Sequence, residues 1–210
     1  MKLFHLCAIA FAALLDVAMG TTIVVGLSLP FHRPVGLVDI ALGAFLALLP
    51  DIDVVYMLLR KGRMYGSHHM WLTHRPVVLI PLATAAGWFL GGAFWATAAF
   101  IAVFWHYVHD TPEICGSGIA WFWPFTDWWW SPRRGLIAPY ITDSSHDRFL
   151  QNWLGPSRVA EAEVYIAAFL LALSLSLIFD PLAGIVLGLL PILGATIVWV
   201  LYHVYGVRAR

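Results

Sequence analysis

The sequence predicts an all-α fold, a polytopic membrane bundle of about six apolar helices, and three observations lead there. Hydrophobic residues make up 61% of the 210-residue chain and charged residues only 11%, with a mean hydropathy of +0.81. A water-soluble domain needs far more charge on its surface. Six apolar stretches follow one another at roughly 4–29, 35–58, 76–90, 92–111, 162–179 and 182–205, against about 20 residues for one membrane crossing. Backbone groups in lipid must be satisfied internally, so these stretches are read as helices.

Taken in order, the first two and the last two stretches are long enough to cross. Met1 to Gly20 also has features of a secretory signal, with an early Lys2, an apolar middle and small residues near Ala18-Met19-Gly20. Asp16 fits a signal badly and the apolar run continues to Leu29, so the segment is read as the first span. Pro50 lacks an N–H and perturbs the turn before it, so the second helix is expected to break or restart there. The third and fourth stretches are short and separated by Gly91-Gly92, short enough for a tight hairpin that does not fully cross. Gly87-x3-Gly91 and Gly184-x3-Gly188 would permit close helix packing.

Basic residues then orient the bundle. With an even number of spans, Lys2, Arg60, Lys61, Arg63, Arg75, Arg133, Arg134, Arg148, Arg158, Arg208 and Arg210 share a side, leaving only Arg33 opposite. That asymmetry predicts a multi-pass protein of a bacterial inner membrane with both termini cytoplasmic. The chain is then a single integral-membrane domain, 1–210, containing a long cytoplasmic loop at 112–160.

Composition also excludes. Formal net charge is zero, so direct nucleic-acid binding has no electrostatic support. Cys7 and Cys115 have neither zinc-finger nor disulfide-framework spacing. Among the motifs there is no glycine-rich phosphate loop, nucleophile elbow or H-E-x-x-H helix.

The ionisable residues cluster towards the predicted cytoplasmic face: His5, Asp51 and Asp53, His69 and His74, His106 and Asp110, and Ser145-His146-Asp147-Arg148. Aspartate with neutral histidine is what a divalent metal site is made of. Asp51 and Asp53 follow Pro50; in an extended turn, residues two apart project to one side and could hold one cation or bridge two. His106 and Asp110 are four apart, which stacks them on one helical face, where the carboxylate could share a metal or orient the imidazole. His109 is a reserve ligand, and His68 is read as a solvated loop residue. Arg75 offers a charge-assisted bond to a substrate phosphate or carboxylate. The aromatic run Trp121 to Phe125 and Trp128 to Trp130 reads as an interfacial belt that could roof a site. Asp16 and Asp39 lie within apolar spans without an obvious partner, which makes them functional suspects.

These motifs together resemble a family of bacterial inner-membrane proteins described as predicted metal-dependent hydrolases, including the LexA-binding, inner-membrane-associated type. The family's early His matches His5-Leu6, and its Leu-Leu-Pro-Asp-Ile-Asp signature matches Leu48 to Asp53. His-Arg-x-x-Thr-His-Ser is matched in part by His69 to Arg75. His-x3-Asp, then Gly and an apolar run to Trp-Pro, is matched by His106, Asp110, Gly118 and Trp123-Pro124. A later Glu-Arg-Phe element looks like Asp147-Arg148-Phe149. The resemblance covers about residues 5–150. Val54 stands where the family often has another His, Met70 replaces its usual Arg, and Arg75 its usual Ser.

The reading that results is a metal-dependent hydrolase of the inner membrane. His5, Asp51, Asp53, His69, His74, His106 and Asp110 are the expected metal ligands, with Asp53, His74 and Arg75 in catalytic roles. The cofactor is a divalent metal, Zn²⁺, Mn²⁺ or Fe, and a dinuclear site would suit hydrolysis. The partners are the lipid bilayer and a small or lipid-derived substrate, an amphiphilic ester or phosphoester. Two other classes compete. A divalent-cation or proton-coupled transporter would use Asp16 and Asp39, and a non-enzymatic scaffold would recruit a cytosolic protein through the long loop.

Overall fold

Residues 10–61, 68–112, 118–132, 135–138 and 159–201 are described in a computed structural model of the chain. His5 and the Ser145 to Arg148 stretch lie outside them. The described residues form six helices: α1 (Leu14–Ser28), α2 (Leu37–Ala47), α3 (Ile52–Lys61), α4 (Pro76–Asp110), α5 (Val159–Ile178) and α6 (Pro181–Leu201). A short antiparallel ribbon, β1 (Trp129–Ser131) with β2 (Gly135–Ile137), is the sole sheet among them. The all-α membrane class is therefore right.

By length and composition, Ala10–Ser28, Pro76–Asp110 and Ala160–Ile178 are long and apolar enough to cross a membrane. Their outward faces are apolar: Phe89 and Leu90 are each 86% exposed. In water such surface would drive association; in hydrocarbon it is the solvated face.

The second stretch is broken in its middle. After Ala47 the chain makes a 3-10 turn at Leu49–Asp51, with Pro50 where a missing N–H costs nothing, and restarts as α3. The two helices are bent by 65°. The break expected at Pro50 is present: the stretch over 35–58 is two helices meeting at Asp51, which together have the length and composition of one bent crossing.

α4 is a hairpin, as Gly91-Gly92 implied. Gly92 has φ +69°, a conformation open to glycine, and neither residue is helical. A methyl group added at Gly87 would meet the Trp95 carbonyl oxygen at 2.5 Å. Along an unbroken helix, residues eight apart are separated by about 12 Å, so the second arm folds back along the first. The first arm, about 15 residues, rises roughly 22 Å and falls short of a ~30 Å hydrocarbon layer.

The hairpin gives the bundle two chemically different ends. At its tip, the Arg33 guanidinium lies 4.5 Å from the Phe94 ring and pairs with Asp39 at 2.9 Å. Asp39 also accepts the Gly36 N–H at 2.9 Å, capping α2. At the open end, the Tyr107 hydroxyl donates to the Thr73 carbonyl at 2.6 Å, tying the exit of α4 to its entry. Between them, Ala83, Ala99, Val103, Tyr107 and Ile119 form a buried core. Towards α5, Leu15, Ala18 and Ala167 pack together, and Thr22 bonds Ser174 at 3.0 Å.

Candidate metal centre

The open end of the hairpin gathers residues from four separate segments. Asp51 comes from the 3-10 turn before α3, and His74 from a second 3-10 turn, Leu72–His74, that ends as Pro76 starts α4. His106 and Asp110 sit one turn apart at the end of α4. One ligand atom from each of these four lies within 4.8 Å of the others. His69, on the turn His68–Met70, stacks on His74 with ring centroids 4.7 Å apart.

The imidazoles share one orientation. His106 Nδ1 faces the Ala47 carbonyl at 2.8 Å, and His69 Nδ1 faces the Gly118 carbonyl at 3.2 Å. Carbonyls only accept, so in both rings Nδ1 is the donor and Nε2 carries the lone pair of the neutral form. His74 Nδ1 lies 3.2 Å from the buried Asp53 carboxylate, itself bonded by Thr73 Oγ1 at 3.1 Å. All three Nε2 atoms then converge on one oxygen, Asp110 Oδ2, at 3.1 Å from His106, 3.5 Å from His69 and 3.7 Å from His74. Asp51 Oδ1 faces the same nitrogens of His74 and His106 at 3.4 and 3.7 Å.

Nitrogen lone pairs aimed at an anionic oxygen repel one another. The arrangement is stable only with positive charge between them, either protons or a metal ion. His74 shows the protonated alternative. Burial alone would lower its pKa, but hydrogen bonds and charge from Asp51 and Asp53 outweigh that and raise it from 6.5 to about 9. Buried, oriented imidazoles with carboxylates are also the donor set of a transition-metal site, each His held by an acceptor behind it. The residues fit a divalent ion.

The family model for YdjM inner membrane protein matches residues 12–188. The chain belongs to the YdjM inner membrane protein family. Neither a curated relative nor a solved structure matches it. The family's membership places the protein in the membrane, and the matched region contains every residue of the cluster.

Within this family member, the expected ligands separate by position. Asp51, His74, His106 and Asp110 come together, and His69 adjoins them. Asp53 does not point beside Asp51 as an extended turn would have it. The chain is helical from Leu49 onward, so the two carboxylates diverge, and Asp53 backs His74 from outside the cluster. His5 lies outside the described residues, and so does the His68 side chain. Among the described residues there is one such four-residue group.

His109 is not a reserve ligand at this centre. Its Nδ1 lies 3.2 Å from Asp16 Oδ2 and its Nε2 3.5 Å from Glu163 on α5. Asp16, apparently partnerless in the sequence, accepts the Trp105 indole N–H at 3.0 Å and stands 3.7 Å from His106 Nδ1. Asp39 likewise has partners, in Arg33 and the α2 cap. Glu163 was missed by sequence reasoning; its signal was the pair of acids, Glu161 and Glu163, at the start of an apolar helix. The acceptor carbonyls of Ala47 and Gly118 carry no sequence signal of their own, although Gly118 has φ +86°.

Arg75 follows His74 and is only 7% exposed. Its Nη2 donates to the Met70 carbonyl at 3.4 Å, and the guanidinium lies 5.9 Å from the Trp123 ring. Burial lowers its pKa from 12.5, opposed by Asp127. The turn Trp121 to Phe125 leaves Phe125 96% exposed, whereas Trp129 is wholly buried, so the aromatic run is part surface and part core.

Proposed function

We propose that this protein is a metal-dependent hydrolase acting at the membrane surface. The observation that carries the reading is the common orientation of three imidazoles, Nδ1 on an acceptor and Nε2 turned to Asp110. A Zn²⁺, Mn²⁺ or Fe ion bound there would lower the pKa of a water and polarise an ester oxygen. His74, His106, Asp51 and Asp110 would hold the ion, and His69 stands beside them to bind or to take a proton. Asp53 keeps His74 in the ligating tautomer. Partly accessible Asp51 and Asp110 edges, 32% and 22%, leave the centre open to a reactant.

Elemental analysis of the purified protein in detergent tests this. Wild type is expected to retain a transition metal, Asp51→Ala and His106→Ala to lose it, and His109→Ala to keep it. Full metal content in both of the first two variants would sink the site as drawn.

A further inference from the structure

We propose that Arg75 binds the anionic phosphoryl group of the substrate, so that the metal centre serves an amphiphilic phosphoester. This rests on the hydrolase reading and narrows it.

A buried guanidinium is costly unless its donors are filled. Arg75 has five N–H donors in a planar fork. Among the described residues, one makes a long bond, to the Met70 carbonyl at 3.4 Å. Asp127 is 3.9 Å away, beyond hydrogen-bond distance, and is itself 71% exposed. Nη1 has no hydrogen-bond partner among the described residues. Such a fork fits a tetrahedral phosphoryl group or a carboxylate through two oxygens.

Its position favours the phosphoryl group. Arg75 is joined to His74, about 3.8 Å away between Cα atoms, and its guanidinium contacts the residue after His69. Its backbone is thus one residue from His74, and its head bonds the carbonyl one residue from His69. Cleaving a phosphoester gathers charge on the non-bridging oxygens, where a guanidinium stabilises it. A neutral carboxylic ester would bring no anionic oxygen to the Nη1 donors, which the ion pair of Nη2 with Asp127 leaves unfilled.

The lipid part follows from the same two segments. The turn bearing Met70 also exposes Trp71 by 39% and Leu72 by 63%, and the turn bearing Trp123 exposes Phe122 by 51%. An anionic head on Arg75 would thus leave an alkyl chain beside exposed apolar side chains.

Calorimetric binding to the metal-loaded protein in detergent tests the proposal, with dihexanoyl phosphatidate, inorganic phosphate and hexanoate as probes. Dihexanoyl phosphatidate is expected to bind wild type and to bind Arg75→Gln about 10–100-fold more weakly, with metal content unchanged. Arg75→Lys, which keeps the charge without the fork, should fall between and serves if the glutamine variant does not fold. Equal binding by wild type and either variant, or preference for hexanoate, would overturn the proposal. Inorganic phosphate binding as tightly as the lipid would overturn the lipid part, leaving a soluble phosphate ester. Absence of metal from wild type is a different failure, that of the metal centre itself.

Discussion

His74 and Asp53 form a buried pair, with Nδ1 of the imidazole 3.2 Å from Oδ2 of a carboxylate that contributes no ligand atom to the cluster. The pair sets the tautomer of His74 and makes its Nε2 a stronger donor. Asp53 would therefore act on a metal bound at the cluster through another residue.

Replacing Asp53 by Asn should weaken metal binding about 10–100-fold, the usual cost of losing a partner behind a ligating His. All four atoms of the cluster stay in place, so metal stoichiometry at saturation should be unchanged. Competition against a chelator of known affinity measures the difference. An unaltered affinity would remove Asp53 from any role at the centre.

The protonation of His74 sets a pH dependence. In the metal-free protein its pKa is raised from 6.5 to about 9, so binding a cation must displace its proton. Below pH 9 metal affinity should rise with pH by about tenfold per unit from that one proton. Stability of the metal-free protein should run the other way. A folded pKa above the unfolded one contributes stability fully below pH 6.5, and that contribution is lost as pH rises through 9. Chelator competition and thermal unfolding across pH 6–10 check the two slopes. A flat affinity profile would contradict the assignment of His74 as ligand.

Gly118 holds His69 through its backbone. Its φ is +86°, and an added Cβ would meet the Trp130 carbonyl oxygen at 2.7 Å. Gly118→Ala should cost about 1–3 kcal/mol from backbone strain and turn the carbonyl off the His69 ring. A lowered unfolding temperature together with weaker metal binding is expected. Wild-type values for both would show that the His69 bond is dispensable.

Much of the architecture was legible because its causes are local. Pro50 breaks a helix by its own chemistry, Gly91-Gly92 reverses one, and four-residue spacing stacks His106 over Asp110 in any helix. The membrane class needed only composition and run length. Asp51 and Asp53 show the limit of local reasoning. Their spacing suggested a shared ion, but separating them depended on whether the turn was extended or helical.

The sequence by itself determined the solvent, the helices, the two breaks and the residue types available for a metal. Only the tertiary structure decided which of them meet. His69 finds Gly118 across 49 residues, His106 finds Ala47 across 59, and His109 finds Asp16 across 93. Residues so far apart come together only where helices pack, because spacing along a chain carries no information on the distance between different helices. That packing is what turns three imidazoles to one aspartate oxygen and carries His109 away from it.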